Sequence, residues 1–374
     1  MTQKFNELEY RQRLIAKGVD PSEAFDVARR TAESYGLPPA QNKPSSGRKA
    51  SSTKKKAPTS KKTQAKQATS KSPLAPERHQ QGDFFVADIL DAAPKDDTAS
   101  MEHPLFAMKQ GDRRVRQYER NGYTVTVKPG YDGCATIHDK DLWIYCISQL
   151  VEAKNRGQEI SRKVRFTAYD FLITTNRDTS GRAYLRMADM LSRLRGTSIE
   201  TNIETGGQRE RRGFGLIDSW RVIEKSPDND RMVAVEVELP SWLFRSVESM
   251  HVLTLSRDYF RIRKPLHRRI YELARKHCGK QPHWRVQLAT LLEKSGSTTT
   301  LRKFRAEIIE LAESGALPDY LMAYDAERDQ VTFYADGPEG KRAEIKDMLA
   351  GRPHAPVNAH HAQHERKQTK RRRP

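Results

Sequence analysis

The chain has 374 residues, a formal net charge of +19 and a hydrophobic content of only 36%, so part of it is expected to remain unfolded. No apolar run reaches the roughly 18 residues that span a bilayer, and the N-terminus, MTQKFNELEYRQR, lacks the apolar core of a signal peptide. The three widely spaced cysteines argue against a disulfide framework or a zinc site and favour a cytoplasmic protein.

Most of the positive charge lies in two polar segments. Residues 41–78 contain eleven lysines and arginines and one acid, and residues 352–374 contain seven and one. These segments carry +10 and +6 of the total charge, which leaves only +3 for the rest of the chain. The net charge therefore predicts an affinity of the two segments for polyanions, and the folded part needs its own argument.

Residues 1–36 are predicted to form a helical hairpin. Asn6 and Asp20 are placed as N-caps of the two helices, and Gly18 and Gly36 as the residues that end them. The apolar seam between two such short helices is small, so we expect the pair to be of low stability by itself.

Residues 37–80 are of low complexity and are predicted to be a disordered basic linker. Two adjacent aromatic residues, Phe84 and Phe85, follow this linker, with Gln81 and Asp83 just before them. Two interpretations are open from the residues alone. The aromatic pair packs as an arm on the folded part, or it is a short peptide that binds another protein.

Two folded regions with a similar order of elements follow, at residues 101–250 and 251–336. Each contains a helix, a strand, two helices and then β-rich runs, which is the pattern of a winged helix: a helix-turn-helix followed by a β-hairpin wing. The predicted fold is therefore α+β, with tandem winged-helix domains. Residues 337–374 are predicted to be a disordered basic tail.

The second long helix of each copy is the predicted recognition helix. In copy one the apolar spacing places four residues in the core: Leu185, Ala188, Leu191 and Leu194. Its predicted DNA contacts are arginines on the outward face: Arg182, Arg186 and Arg193. In copy two the residues placed in the core are Leu301, Phe304, Ile308 and Leu311. The DNA contacts predicted there are Thr298, Thr299, Arg302, Lys303 and Arg305.

Arginines near the predicted turns are candidates for the wings. In copy one these are Arg209, Arg211 and Arg212, which a wing would place against phosphate or the minor groove. In copy two the candidate is Arg328, but its acidic neighbours favour an ordinary exposed turn.

No pattern in the chain predicts an active site, a cofactor or a metal. The segment GPEGKRAE lacks the spacing and the Ser/Thr of a phosphate-binding loop. His360, His361 and His364 lie in a polar segment without the strands that hold metal ligands in place, so we expect no catalytic metal there. The protein is accordingly predicted not to be an enzyme.

The phrases YERNG, ATIHDKD and ISQL, between residues 118 and 150, are specific in combination. This region, and the chain up to about Tyr334, resembles the replication initiator protein A family of proteobacterial plasmids. The N-terminal EYRQRLIAKGVDPSEAFDVARRT is similar to the beginning of the TrfA initiators of IncP plasmids. The resemblance implies tandem winged helices that bind repeats called iterons in double-stranded plasmid origin DNA. It further implies opening of AT-rich DNA, loading of the host replicative helicase, a homodimer in equilibrium with monomer, and autorepression.

The resemblance also suggests a partner for the aromatic pair. TrfA-like initiators carry a Q-L-S-L-F element before their DNA-binding core, and it resembles peptides that bind the bacterial sliding clamp. Residues 81–85 follow the same pattern, with Gln81 first and two apolar residues last. Gly82 departs from it, because leucine is common there. The predicted clamp-binding residues are Gln81, Asp83, Phe84 and Phe85.

Two alternative functions stay open on the sequence. One is a winged-helix transcriptional repressor without a replication role, and the other is a rolling-circle nicking enzyme. Direct repeats beside an AT-rich segment in the flanking DNA would separate an initiator from a repressor, and metal-dependent nicking of supercoiled origin DNA would reveal the enzyme.

Overall fold

The computed structural model describes residues 93–120, 122–202, 204–205, 208–209, 212–224, 232–279 and 281–371. Internal contacts divide the chain between Ala68 and Thr69, and all of the described residues belong to the second part. The predicted helical hairpin, basic linker and clamp-binding peptide lie outside the described residues.

The described residues contain ten α-helices: α1 (Thr98–Glu102), α2 (Asp141–Asn155), α3 (Ala168–Thr174), α4 (Gly181–Gly196), α5 (Ser241–Glu248), α6 (Pro265–Cys278), α7 (Leu288–Ser295), α8 (Leu301–Ser314), α9 (Pro338–Leu349) and α10 (Val357–Arg371). Among these helices, none is long and apolar enough to cross a membrane.

The strands of the same ranges are β1 (Lys95–Asp97), β2 (Arg116–Arg120), β3 (Tyr123–Lys128), β4 (Lys163–Phe166), β5 (Ser198–Thr201), β6 (Glu204–Thr205), β7 (Gln208–Arg209), β8 (Arg212–Gly215), β9 (Ser219–Glu224), β10 (Met232–Glu238), β11 (Val252–Thr254), β12 (His283–Gln287), β13 (Tyr320–Asp325) and β14 (Gln330–Ala335).

The same order of elements occurs twice. Helix, strand, helix and helix follow one another in α2–β4–α3–α4 and again in α6–β12–α7–α8. Each series is completed by a hairpin whose second strand lies in the middle of a three-stranded antiparallel sheet, with strand orders β4-β10-β9 and β12-β14-β13. The first copy also contains a four-stranded sheet of order β2-β3-β5-β8.

In the first copy, the hairpin that corresponds to a wing is not the one that the sequence predicted. We predicted it around Arg209, Arg211 and Arg212. Arg209 lies in β7, which pairs with β6 in a separate two-stranded sheet, and Arg212 begins β8, which pairs with β5 in the four-stranded sheet; Arg211 lies outside the described residues. The counterpart of β13–β14 is instead the β9–β10 hairpin. Alternating valines of β10 are buried against β4, with Val235 opposite Phe166, and this burial selects the pairing.

Two hydrophobic cores divide the described residues into an N-lobe (residues 104–251) and a C-lobe (residues 256–371). The N-lobe core is centred on Trp143, whose ring packs edge-on against Phe106 and Trp242 at centroid distances of 5.1 and 5.5 Å. The C-lobe core packs α6 and α8 against β12–β14 through residues such as Phe304 and Phe333. Between the lobes, β1 pairs with β11.

The prediction of a disordered tail after residue 336 is wrong for the described part. Helix α9 packs closely on β14. The two elements approach so near at Gly340 that a side chain there would collide with the backbone of Ala335. Helix α10 contacts the C-lobe with buried Ala359 and with Gln363, which donates a 2.8 Å hydrogen bond to the carbonyl of Tyr320. Small residues and polar contacts hold both helices, so apolar content alone could not predict them.

The seam between the lobes contains a fully buried lysine. The Nζ of Lys140, just before α2, lies 2.6 Å from a carboxylate oxygen of Asp96 and 3.1 Å from one of Glu272, in α6. Tyr259 donates a 2.7 Å hydrogen bond to Glu272, and Arg269 pairs with the same carboxylate at 3.2 Å. The charges therefore lie in a closed network that joins β1, α2 and α6.

A second set of contacts extends this network along the seam. Asp141 pairs with Arg268 of α6 and, at 2.9 Å, with Arg177, which follows α3. Arg269 donates hydrogen bonds to the carbonyls of Met101 and Glu102, both at 2.9 Å. Arg268 and Arg269 are both buried; Arg268 ties α6 to the N-lobe through Asp141, and Arg269 ties α6 to α1.

Removal of the buried lysine tests how much this seam contributes to the stability of the fold. We expect Lys140→Ala to lower the free energy of unfolding by about 3–5 kcal/mol, because Asp96 is left buried without its cation while Glu272 keeps Arg269. The matched control is Lys128→Ala, which breaks an exposed ion pair with Glu200 and is expected to cost at most about 1 kcal/mol. Urea unfolding measures both values. Equal losses in the two variants would contradict the structural role of Lys140.

Candidate nucleic-acid interface

The start of α8 presents the residues predicted for DNA contact in the second copy. Thr300 is the N-cap, and its side chain accepts a 3.4 Å hydrogen bond from the backbone N–H of Lys303. Phe304, Ile308 and Leu311 are buried, as the spacing predicted. The opposite face leaves Arg302 and Lys303 exposed at the first turn, where an entering helix would come closest to base edges.

The two threonines before α8 differ in exposure. Thr298 is exposed, and its hydroxyl accepts a 3.3 Å hydrogen bond from Arg114 of the N-lobe. Thr299 is half-buried, with its hydroxyl 3.0 Å from that of Ser297. Thr298 is therefore presented to solvent at the helix start, whereas Thr299 helps to hold the turn between α7 and α8.

Arg305 is a contact within the protein. Its Nε lies 2.9 Å from the hydroxyl of Tyr324 and 3.1 Å from Asp329, and its Nη2 lies 2.9 Å from the same carboxylate. The hydrogen bonds from Arg305 lower the pKa of Asp329, so that carboxylate stays ionised. The guanidinium ties α8 to the β13–β14 hairpin, a positioning role that the sequence did not predict.

In α4 the buried face differs from the predicted one. Leu185 is 70% exposed, and the core is filled by Ala183, Met187 and Met190 together with the predicted Leu191 and Leu194. The buried face of α4 is therefore rotated by part of a turn from the predicted one. Methionine side chains are flexible, so Met187 and Met190 can fill the core on this face.

Two arginines of α4 lie on the exposed face, as predicted. Arg182 and Arg186 are exposed in the N-terminal half of the helix. Arg186 donates a 3.3 Å hydrogen bond to the carbonyl of Arg182 and makes a long, exposed ion pair of 3.4 Å with Asp178. Arg182 is the second residue of α4, as Arg302 is of α8, and Arg186 lies about one turn further along the helix.

Arg193 was predicted as an outward DNA contact, and the structure contradicts this. Its guanidinium is buried and pairs in bidentate geometry with Asp139, with both N–O distances 2.9 Å. Asp139 also accepts a 2.8 Å hydrogen bond from the backbone of Thr136. The pair joins the C-terminal part of α4 to the segment before α2, so Arg193 is a structural residue.

The predicted wing arginines are resolved only in part. Arg211 and the side chains of Arg209 and Arg212 lie outside the described residues, so their role as DNA contacts stays a prediction. Arg328 pairs with Asp325 at 3.2 Å in the β13–β14 turn, which agrees with the ordinary exposed turn that its acidic neighbours indicated.

Within the described part of the chain, no group of three or more histidine, cysteine or acidic side chains is arranged to hold a metal ion. Of the three histidines considered earlier, His360 faces Glu344 at 2.8 Å between α10 and α9. This contact packs the two helices together.

Comparisons with known proteins agree with the resemblance in the sequence. The family model described as replication initiator protein A matches residues 95–322. A putative replication protein of Wigglesworthia glossinidia brevipalpis is 42% identical over 254 residues, which cover 67% of this chain and 92% of that protein. The matched residues do not include the N-terminal segment, so its similarity to TrfA stays a prediction.

Solved structures give weaker matches. Domains 2 and 3 of RctB cover 64% of this chain and 98% of their own, with 13% identity and a TM-score of 0.45. The Pi initiator protein, solved in complex with iteron DNA, covers 54% of this chain and 92% of its own, with 13% identity and a TM-score of 0.39. Both TM-scores are below 0.5, so the assignment rests on the sequence matches.

The described residues thus define an α+β protein with two helix–strand–helix–helix units and exposed basic residues at the start of the last helix of each. The chain belongs to the replication initiator protein A family.

A comparison of arginine variants of α4 tests the correction of Arg193. We expect Arg193→Ala to lower the free energy of unfolding by about 3–5 kcal/mol, because the buried carboxylate of Asp139 loses its cation. Arg182→Ala and Arg186→Ala should change it by about 0.5 kcal/mol or less, since both side chains are exposed. Urea unfolding of the three variants decides, and a stable Arg193→Ala protein would refute the structural role.

Proposed function

We propose that this protein is a plasmid replication initiator that binds iterons in double-stranded origin DNA through tandem winged-helix domains. The observation that carries the proposal is the pair of helices α4 and α8. In a chain of the initiator family, each follows the same helix–strand–helix series and exposes basic residues in its N-terminal half. Arg182 and Arg186 would read one half of the repeat, and Thr298, Arg302 and Lys303 the other.

The seam supports simultaneous binding by both helices. Two helices that enter successive major grooves on one face of a duplex must be separated by about one helical turn, roughly 34 Å. The buried contacts of Lys140 with Glu272 and of Asp141 with Arg268 restrict movement between the lobes. A fixed orientation lets the two helices select repeats with one spacing between their halves.

We further propose that binding bends or strains the repeat and opens a neighbouring AT-rich segment, which is easily unstacked at its TA steps. The protein would then help to load the host replicative helicase. It would act without an enzymatic step of its own, and a homodimer in equilibrium with the monomer would repress its gene. The family membership supports these proposals.

Substitution of one exposed arginine tests base reading. We expect Arg302→Ala to weaken binding to an iteron duplex by about 1–3 kcal/mol if the arginine pairs with a guanine, and to change binding to a scrambled duplex much less. The control is Arg328→Ala, since Arg328 already pairs with Asp325. Fluorescence anisotropy with both duplexes gives the affinities. Unchanged discrimination in Arg302→Ala would refute the assignment of α8.

The clamp-binding proposal rests on residues 81–85, and especially on Phe84 and Phe85 as apolar anchors with Gln81 as a hydrogen-bonding group. We expect Phe84→Ala/Phe85→Ala to lose binding to the bacterial sliding clamp in surface plasmon resonance while it retains iteron binding. Gly82→Leu should strengthen clamp binding, because it restores the leucine of the pattern. Wild-type clamp affinity in the double variant would sink the proposal.

A further inference from the structure

A segment of the N-lobe lies beside the start of α8, although sequence patterns did not connect the two. This segment, Lys109–Val115, is called the basic loop here; Lys109, Arg113 and Arg114 are exposed in it. The Nη2 of Arg114 lies 3.3 Å from the hydroxyl of Thr298. A shallow groove of about 280 Å³ runs between the basic loop and the turn that leads into α8.

Arg114 is held in one orientation by its neighbour Asp112. Its Nε and Nη2 lie 2.9 and 3.0 Å from the two carboxylate oxygens, and its backbone N–H donates a 3.1 Å hydrogen bond to the same group. The side chain of Asp112 is 8% exposed, whereas that of Arg114 is 60% exposed. The acid is thus buried beneath the arginine, and the guanidinium faces solvent next to Thr298 in a fixed position.

Arg113 is supported in a different way, by an aromatic ring. Its guanidinium carbon lies 6.0 Å from the ring centroid of Tyr131, which is 90% exposed. The turn that carries Tyr131 is packed tightly at both ends. A side chain at Gly130 would approach the backbone of Gly196 to 2.8 Å, and one at Gly133 would meet the basic loop at 3.2 Å.

The exposure of Tyr131 therefore does not reflect a loose loop. The ring lies beside Arg113 on a tightly packed turn and is exposed, although burial of an aromatic side chain ordinarily stabilises a fold. Asp132 is an exposed acid of the same turn, and Asp112 is already engaged by Arg114. Two oriented guanidiniums on a rigid support are suited to phosphate, which arginine binds with directed hydrogen bonds.

We propose that the basic loop is a third DNA-binding element, in which Arg113 and Arg114 bind phosphates that flank the groove entered by α8. The proposal rests on the proposed function, because a duplex in contact with Thr298 and Arg302 necessarily comes within reach of Arg114. Contacts to phosphate carry no sequence information, so the loop contributes affinity and fixes the register of α8 on the duplex.

The test uses the full-length chain with two DNA probes. One is a duplex that carries the direct repeats beside the gene, and the other is a scrambled duplex of the same length. We expect Arg113→Gln/Arg114→Gln to weaken binding to both probes by a similar factor, about tenfold at 0.1 M salt, and to reduce the slope of log K against log salt by about 2. Fluorescence anisotropy over a series of salt concentrations gives both quantities.

The control removes the same charge elsewhere. Arg156→Gln/Arg342→Gln changes two arginines whose side chains are 48% and 76% exposed, and it should leave the slope unchanged. If the loop variant has the affinity and slope of the wild type, the basic loop does not bind DNA. If the wild-type protein binds the repeats no better than the scrambled duplex, the proposal of iteron recognition is refuted. If the loop variant still weakens both complexes in that case, the proposal that the basic loop binds DNA is supported.

Tyr131 provides a second, separate readout. We expect Tyr131→Ala to weaken both complexes about threefold, because Arg113 loses its support, and Tyr131→Phe to retain wild-type affinity because the ring is preserved. A loss of affinity in Tyr131→Phe equal to that in Tyr131→Ala would overturn the supporting role of the ring.

Discussion

A lysine that is buried between two carboxylates, Lys140, lies in the seam between the lobes and joins them. Lys140 precedes the central helix of the N-lobe, and Glu272 lies in the first helix of the C-lobe. A buried ion pair adds little net stability over apolar packing, but it penalises any arrangement that separates the charges. The buried ion pair therefore acts on geometry, because it keeps α2 and α6 in one relative orientation. Helices α4 and α8, which belong to the two lobes, are held in a fixed relation as a result.

The segment ATIHDKD, one of the phrases on which the resemblance in sequence rests, acquires a physical explanation from this seam. Its three consecutive charged residues point to three different places. Asp139 pairs with Arg193 at the end of α4, Lys140 crosses to Glu272, and Asp141 binds Arg268 and Arg177. A single turn thus connects α4 of the N-lobe to the body of the C-lobe. The motif belongs to the architecture that positions the DNA-binding surface, and the surface itself is formed by other residues.

The basic residues of α4 and α8 show the limit of reasoning from helical periodicity. Arg182, Arg193, Arg302 and Arg305 all lie off the main apolar stripe, so sequence spacing treats them alike. Two of them are claimed by carboxylates distant in the chain, Asp139 for Arg193 and Asp329 for Arg305. Arg182 and Arg302 stay exposed on the surfaces of their helices. The same reasoning explains how Arg114 was missed, since its neighbour Thr298 is 184 residues away.

By itself the sequence determined the order of the helices within the two repeated units, the buried face of α8, and the family, because these depend on local spacing, caps and short motifs. It did not determine which hairpin completes the first three-stranded sheet, which arginines are exposed, or how the polar segment after residue 336 packs. Those features depend on pairings between distant residues: Val235 with Phe166, Arg193 with Asp139, Gln363 with Tyr320. A strand edge, a buried charge and a buried amide each need a hydrogen-bonding or ionic partner. Which residue becomes that partner depends on the tertiary structure, because the candidates are distant in the sequence.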